Sequence, residues 1–124
     1  MKILSVDDSA IIRKIICGCV DVLGYDFLEA ENGQQALDIL SDQYQDVQLI
    51  LLDWNMPVMD GYETLTKLKA DDRFKEIPVM MVTTESEKTN IIAAMKAGAK
   101  HYVVKPFSQE DLTSRIVECM GLAV

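Results

Sequence analysis

Five short apolar runs alternate with segments of helical periodicity along the chain of 124 residues. Several runs are almost continuous in leucine, isoleucine, valine and methionine, which is typical of strands buried on both faces of a parallel sheet. Strands that alternate with helices in this way predict one parallel sheet covered by helices on both faces. The predicted strands are Ile3–Val6, Phe27–Ala30, Leu49–Leu52, Pro78–Val82 and Tyr102–Val104.

Apolar residues three and four positions apart predict a helix after every strand. Gly24 and Gly98 stand where the first and fourth helices are expected to end, because glycine adopts the left-handed conformation common there. We therefore predict a doubly wound α/β fold with five parallel strands in the flavodoxin-like order 2-1-3-4-5. The apolar positions assigned to the five helices are Ile12, Ile15, Ile16, Cys19 and Leu23; Ala36, Leu37 and Leu40; Leu65 and Leu68; Ile91, Ile92 and Met95; and Leu112, Ile116, Cys119 and Met120.

Length and charge narrow the classes of protein that the chain can belong to. Its length fits one domain over residues 1–124, and we expect no output domain. Hydrophobic residues make up 49% of the chain and charged residues 26%, as in ordinary globular proteins. The formal net charge of -8 argues against a nucleic-acid surface, which needs a basic patch.

The three cysteines, Cys17, Cys19 and Cys119, lack the spacing of a disulfide framework. Cys17 and Cys19 resemble half of a metal site, but the second half is missing because His101 is the only histidine. We interpret the thiols as buried apolar groups. Reduced cysteines, together with the lack of a signal peptide or membrane span, predict a cytoplasmic protein.

Four predicted strands end in charged or hydroxyl-bearing residues. Asp7 and Asp8 follow the first strand, Asp53 the third, Thr83 the fourth and Lys105 the fifth. In the order 2-1-3-4-5 these four strands are neighbours, so their carboxyl ends share the edge where such folds bind ligands. Each residue alone suits an ordinary turn, but the set favours a functional site.

The charges of this set favour a metal ion. Two carboxylates about 4 Å apart repel each other by roughly 4 kcal/mol at an effective dielectric constant near 20. Three carboxylates and one ammonium group leave two negative charges. A divalent cation such as Mg²⁺, which prefers oxygen ligands, would balance them.

Five motifs carry a resemblance to a known family: Asp7-Asp8, Leu51-Leu52-Asp53-Trp54-Asn55-Met56-Pro57, Met59-Asp60-Gly61, Thr83 and Lys105-Pro106-Phe107. They lie far apart and arrive in order. Together they resemble the receiver domain of response regulators in two-component signalling. The resemblance covers the whole chain and is strongest to the single-domain chemotaxis regulators of that family.

The resemblance implies a role for each acidic residue. Asp53 resembles the phosphoacceptor, whose carboxylate attacks the phosphorus of a kinase's phosphohistidine and becomes an aspartyl phosphate. The implied cofactor is Mg²⁺. Its implied ligands are Asp8, Asp53 and the backbone carbonyl of Asn55, with Asp7 holding a bound water.

The resemblance also implies how the phosphoryl group is contacted and removed. Thr83 would donate a hydrogen bond to one phosphoryl oxygen, and Lys105 would form an ion pair with another. The family usually has a cis peptide bond at the position of Pro106. Asn55 and Glu85 occupy the two positions that tune how fast water removes the phosphoryl group.

Tyr102 matches the family's switch aromatic. Phosphorylation would draw Thr83 toward the phosphoryl group and let Tyr102 turn inward, which changes a surface made of the fourth helix, the fifth strand and the fifth helix. Residues 87–107 are very similar to the motor-binding region of chemotaxis regulators. Asn90, Ile91 and Tyr102 would then face the partner.

The implied function is a stand-alone response regulator, and chemotaxis with control of the flagellar motor is the first choice of pathway. The implied partners are a sensor histidine kinase of the chemotaxis type, a flagellar motor switch protein or another target, and a phosphatase. No nucleic-acid or membrane partner is expected. A phosphorelay carrier or a phosphate sink in another two-component pathway is the alternative. The protein would catalyse its own phosphorylation and dephosphorylation without turning over an external substrate.

Other readings of the same residues are weaker. A phosphohydrolase with an aspartate nucleophile needs an acid two positions later, where Asn55 cannot release a proton. A flavodoxin needs a hydroxyl- and glycine-rich loop where this chain has residues 7–11. His101 begins a predicted strand, whereas a phosphorelay histidine lies on an exposed helix. Arg13 and Lys14 are predicted to form a solvated helix face.

Overall fold

The computed structural model of the protein describes residues 1–121. Five strands and five α-helices alternate, with one short 3₁₀ turn at Tyr44–Asp46 before the third strand. The strands are β1 (Lys2–Val6), β2 (Asp26–Ala30), β3 (Val47–Leu52), β4 (Val79–Thr83) and β5 (His101–Val104). The helices are α1 (Ala10–Val22), α2 (Gly33–Gln43), α3 (Gly61–Ala70), α4 (Lys88–Lys96) and α5 (Gln109–Cys119).

The strands form one sheet in the order β2-β1-β3-β4-β5, and every neighbouring pair is parallel. The predicted order is therefore confirmed. In the register of the sheet, Val6 pairs with Leu52 and Thr83 pairs with Val104. The residues that follow β1, β3 and β5 consequently emerge together at one edge of the sheet.

Side-chain caps start four of the five helices. Ser9, Asn32, Asp60 and Ser108 each accept a hydrogen bond from the backbone N–H three residues later. These short polar side chains satisfy amide groups that have no partner within the helix. The capping residue thus fixes where each of these four helices begins. At α4 the N-cap residue Glu87 makes no such side-chain hydrogen bond.

Two apolar layers hold the helices against the sheet. On one face, buried residues of β1 and β3 pack with Ile16 of α1 and Leu112 of α5. On the other face, the sheet packs with Leu40 of α2, Leu65 of α3 and Ala94 of α4. The strands are thus covered on both sides, which explains their continuous apolar sequences. No helix described between residues 1 and 121 is both long and apolar enough to cross a bilayer.

The predicted fourth helix is present as α4, but most of the apolar positions that predicted it are not covered by the sheet. Ile92 and Met95 are 44% and 42% exposed, Ile91 is half-buried, and Ala94 is the one residue of α4 that is fully buried. Ile15 of α1, one of the apolar positions that predicted that helix, is 43% exposed. Both helices have more apolar residues than the sheet can cover, and periodicity does not indicate which of them remain outside.

Candidate functional site

The edge formed by the ends of β1, β3, β4 and β5 brings together the five polar residues that were predicted to meet there. Carboxylate oxygens of Asp7, Asp8 and Asp53 all lie within 4.8 Å of one another. Asp7 and Asp53 are buried, whereas Asp8 is exposed. Thr83 is fully buried at the end of β4, and Lys105 directly follows β5.

Lys105 connects two of the three carboxylates. Its Nζ atom donates to Asp7 Oδ2 at 2.8 Å and to Asp53 Oδ2 at 3.4 Å. All three side chains are at least 89% buried, so solvent screens these ion pairs weakly. The peptide bond between Lys105 and Pro106 is cis, as the resemblance implied.

The pKa of Asp53 is raised above the usual value of an aspartate. Burial is the main cause, and repulsion by Asp7 adds to it. The Thr83 hydroxyl, the Lys105 ammonium and the Trp54 backbone N–H, which donates to Asp53 Oδ1 at 2.7 Å, oppose the rise. Asp53 is thus a desolvated carboxylate at the tip of a rigid strand, and a further positive charge would stabilise its ionised form.

The loop after β3 holds Asp53 from its backbone. The Gly61 N–H donates to the Trp54 carbonyl at 2.7 Å, and a Cβ atom at Gly61 would lie 2.0 Å from the Asp53 carbonyl oxygen. Only glycine therefore permits this close approach. Val58 in the same loop has φ 71°, which is unusual for a β-branched residue. Asn55 lies in this loop and is exposed.

Tyr102 lies on β5 and reaches toward the loop after β4. Its hydroxyl donates to the Glu85 backbone carbonyl at 2.6 Å, and its ring packs against the core layer that includes α4. Burial is the first cause that raises its pKa to about 12, and the charges of Glu85 and Asp53 add to the effect. The Glu85 N–H donates in turn to Thr83 Oγ1 at 3.1 Å. One backbone segment thus connects Thr83 with Tyr102.

The other residues singled out from the sequence lie outside this cluster. Asn90 and Ile91 lie in the first turn of α4 and are half-buried. His101 is the first residue of β5. All three cysteines are free thiols; Cys19 and Cys119 are buried, and Cys17 is half-buried.

The prediction that Arg13 lies on a solvated helix face was wrong. Its side chain is buried rather than solvated, donates from Nη1 to the Asp7 carbonyl at 2.5 Å and forms an ion pair with Glu29 at 2.6 Å. A signal for this was available, because Arg13, Ile16 and Val20 share one helical face. The close approach at Gly61 left no comparable signal beyond its place after Asp60.

The donor set of the site fits a hard divalent cation. Three carboxylates converge there against the single ammonium group of Lys105, which leaves two negative charges. All of the acidic donors are oxygen atoms, as Mg²⁺ prefers. Asp8 in particular is exposed, and within residues 1–121 no hydrogen bond or ion pair to its carboxylate is formed.

Comparison with known proteins agrees with this geometry. The family model of the response regulator receiver domain matches residues 3–117. The chemotaxis protein CheY1 of Helicobacter pylori is 46% identical over 122 residues, which is 98% of this chain and 98% of that protein. The phosphate regulon transcriptional regulatory protein PhoB of Pseudomonas aeruginosa is 43% identical over 92% of this chain and 49% of that protein.

A solved structure supports the same assignment. CheY of Borrelia burgdorferi, in a complex with CheX, BeF₃ and Mg²⁺, aligns with a TM-score of 0.89 at 25% identity and covers 95% of this chain and 87% of that chain. The fold, the family match and the 46% identity to a chemotaxis protein over 98% of the chain all indicate the same family. The chain belongs to the response regulator receiver domain family and is closely related to the CheY chemotaxis proteins.

Proposed function

We propose that the protein is a stand-alone response regulator that accepts a phosphoryl group on Asp53. The observation that carries this proposal is the position of Asp53, a buried carboxylate paired with Lys105 and surrounded by two further acids. A strand-end carboxylate held from both its backbone and its side chain is a positioned nucleophile. Burial raises the pKa of Asp53, so added positive charge would stabilise its ionised, nucleophilic form.

In the proposed reaction, a carboxylate oxygen of Asp53 attacks the phosphorus of a phosphohistidine. A P–O bond forms, the P–N bond breaks, and its electron pair returns to the imidazole nitrogen of the donor. Lys105 would stabilise the negative charge of the transferring group, and Thr83 would donate a hydrogen bond to one of its oxygens. Hydrolysis of the aspartyl phosphate later returns Asp53 to its carboxylate form.

Mg²⁺ is the proposed cofactor, and its chemistry would be to neutralise negative charge on the phosphoryl oxygens. Asp8, Asp53 and the backbone carbonyl of Asn55 would hold it directly. Asp7 would hold it through a water molecule, consistent with its carboxylate being already engaged by Lys105 and the Ser9 N–H.

The proposed output is a change in the surface formed by α4, β5 and α5. Hydrogen bonds already link Thr83 to the loop at Glu85 and that loop to Tyr102. A shift of Thr83 toward a phosphoryl group would therefore displace the partner of the Tyr102 hydroxyl. Asn90, Ile91 and Tyr102 are proposed to face the target. Such a change is a population shift between two arrangements of one surface.

Chemotaxis is the proposed pathway. A sensor histidine kinase of the chemotaxis type would be the donor and a flagellar motor switch protein the target, with a phosphatase to reset the signal, all in the cytoplasm. The 46% identity to CheY1, which extends over 98% of the chain, supports this choice. Similar identity to part of the transcriptional regulatory protein PhoB shows that the match extends beyond chemotaxis proteins. The alternative is a phosphorelay carrier or a phosphate sink, which would use the same site.

An apolar groove beside the site supports a protein as phosphoryl donor. Ile12 and Ile15 of α1 and Pro106 and Phe107 after β5 line it next to Lys105. We propose no turnover of an external substrate, because Asn55 stands where an aspartate-based phosphohydrolase needs an acid. Asn55 and Glu85 are instead proposed to tune how fast water reaches the aspartyl phosphate.

Intact-protein mass spectrometry tests the proposal. Incubation with acetyl phosphate and Mg²⁺ should add the mass of one phosphoryl group, and the addition should need Mg²⁺. Asp53→Asn should abolish it. Asp60→Asn is the matched control, because asparagine can still cap α3 and Asp60 lies outside the acid cluster. Mass addition that persists in Asp53→Asn would contradict the assignment of the acceptor.

The pathway needs a separate test. A purified flagellar motor switch protein should bind the phosphorylated form more tightly than the unphosphorylated form. Transfer of the phosphoryl group onward to a histidine phosphotransfer protein, with no phosphorylation-dependent binding to the motor switch, would instead support the phosphorelay alternative.

A further inference from the structure

Asp8 is the acidic residue of the site whose position depends most on its backbone. Asp7 has both carboxylate oxygens engaged, by Lys105 and by the Ser9 N–H at 2.9 Å. Asp53 is engaged by Lys105 and the Trp54 N–H. The Asp8 carboxylate is exposed and accepts no hydrogen bond from any residue between 1 and 121. Its direction is therefore set by the peptide unit that joins it to Asp7.

Arg13 holds that peptide unit. Its Nη1 atom donates to the Asp7 carbonyl oxygen at 2.5 Å, and this carbonyl belongs to the planar peptide bond between Asp7 and Asp8. The preceding peptide unit is held as well, because the Asp7 N–H donates to the Ala30 carbonyl at 3.0 Å. Rotation of the peptide plane would break the bond to Arg13 and turn the Asp8 side chain away from the other two acids.

Arg13 is itself fixed in place. Its residue is 8% exposed, and its Nε atom donates to Glu29 on β2 at 2.6 Å, while Glu31 lies 3.9 Å from Nη2. A buried guanidinium with two short hydrogen bonds has little freedom left to lose. Arg13 therefore connects α1, β2 and the end of β1 as a rigid unit.

We propose that Arg13 is a positioning residue for the metal site, which acts by holding the peptide plane that directs Asp8 toward the bound cation. This inference rests on the proposed Mg²⁺ site. Residues that orient metal ligands in this way commonly change metal affinity by 10–100-fold when they are replaced. The role does not require contact with the metal or the phosphoryl group.

The direction in which Mg²⁺ affinity changes when Arg13 is replaced distinguishes a positioning role from a purely electrostatic one. Arg13 is a positive charge near a cation site, so its removal should strengthen Mg²⁺ binding if only long-range electrostatics matter. Loss of positioning should weaken binding instead. Arg13→Lys keeps the charge but cannot reproduce the planar fork that contacts Glu29 and the Asp7 carbonyl together. Lys14→Gln removes one positive charge from an exposed neighbour on the same helix and serves as the control.

The test is a Mg²⁺ titration of each protein followed by ¹H–¹⁵N NMR, with no phosphodonor present. We expect Arg13→Gln and Arg13→Lys to bind Mg²⁺ about tenfold more weakly than the wild type, with a shifted Asp8 amide signal before metal is added. Lys14→Gln should bind with unchanged or slightly greater affinity. If Arg13→Gln does not fold, Arg13→Lys alone tests the inference. It keeps the positive charge, so an effect of charge alone would leave its Mg²⁺ affinity unchanged.

Two results would overturn the inference, and they are distinguishable. If the wild type binds Mg²⁺ while folded Arg13→Lys and any folded Arg13→Gln bind it as tightly or more tightly, Arg13 has only a structural role. If the wild type itself binds no Mg²⁺, the proposed metal site is wrong and the role of Arg13 toward it falls as well.

Discussion

The end of β3 and the helix α4 belong to the same small domain, yet they are secured very differently. At the end of β3, Asp53 is held through its side chain by Lys105 and Trp54, and through its backbone by the close approach of Gly61. By contrast, α4 has no side-chain N-cap and buries only Ala94 completely. Two of its large apolar residues are more than 40% exposed.

The difference indicates which part can move. A displacement at the end of β3 would break several buried bonds at once, whereas α4 can shift with little loss of packing. Tyr102 packs against the layer that includes α4 and bonds to the loop after Thr83, so it lies between the two regions. We therefore expect phosphorylation at the rigid end of β3 to cause movement of the weakly packed helix α4.

The largest expected difference in the free energy of unfolding is between alanine variants of two methionines, one in the sheet and one on α4. Met81→Ala on β4 should lower the free energy of unfolding by about 3 kcal/mol, because Met81 is fully buried and its loss leaves a cavity. Met95→Ala on α4 should cost no more than about 0.5 kcal/mol. Urea unfolding followed by circular dichroism measures both. Equal costs would show that α4 is packed as firmly as the sheet.

The next effect concerns the backbone beneath Asp53. Gly61→Ala should lower the free energy of unfolding by about 2–3 kcal/mol, since the new methyl group would collide with the Asp53 carbonyl. Gly18→Ala in α1 is the matched control, because its methyl group meets only Gln109 Nε2 at 3.5 Å. That change should be neutral or stabilising, as alanine favours helices. Similar losses for both variants would contradict the special constraint at Gly61.

Asp53→Asn should make the protein more stable at pH 7, by less than the changes above, because it removes a buried negative charge. The raised pKa of Asp53 means that the folded state binds this proton more tightly than the unfolded state does. The ionised carboxylate therefore destabilises the fold at pH values above its folded pKa, and the penalty disappears as the pH falls through that value. Thermal unfolding across the acid range should thus show the two proteins converging. A variant less stable than the wild type at pH 7 would contradict the sign.

A smaller increase in the free energy of unfolding is expected when backbone strain beside the site is relieved. Val58→Asn should raise the free energy of unfolding by up to about 1 kcal/mol, because asparagine tolerates the left-handed conformation better than valine does. Val22→Asn in α1 makes the same change at another exposed valine, where the backbone is helical, and should not stabilise. Chemical unfolding compares them. No gain at Val58 would mean that its conformation carries no cost.

Most of the fold could be predicted because the strands are buried on both faces. Their apolar sequences located them within two residues at every end. The alternation of strands and helices predicted a parallel sheet, and the number of strands favoured the order 2-1-3-4-5. The acid cluster could also be predicted, since residues that follow neighbouring parallel strands must meet at one edge, and Asp7, Asp8 and Asp53 do so.

The remainder depends on contacts that a one-dimensional pattern does not contain. The exposure of Ile92 and Met95 follows from how little of α4 the sheet covers. The burial of Arg13 follows from its partners on β2 and at the end of β1. The constraint at Gly61 follows from a backbone approach of the next helix to Asp53.

A phosphoryl group at Asp53 is proposed to change the conformation of α4. The most direct test is ¹H–¹⁵N NMR of the whole chain with Mg²⁺, before and after addition of acetyl phosphate, with Asp53→Asn beside it. We predict that amide signals of Lys88–Lys96 and Tyr102 change together with those at the strand ends, and only when Asp53 is present. Changes confined to residues next to Asp53, with α4 and Tyr102 unaltered, would contradict the account.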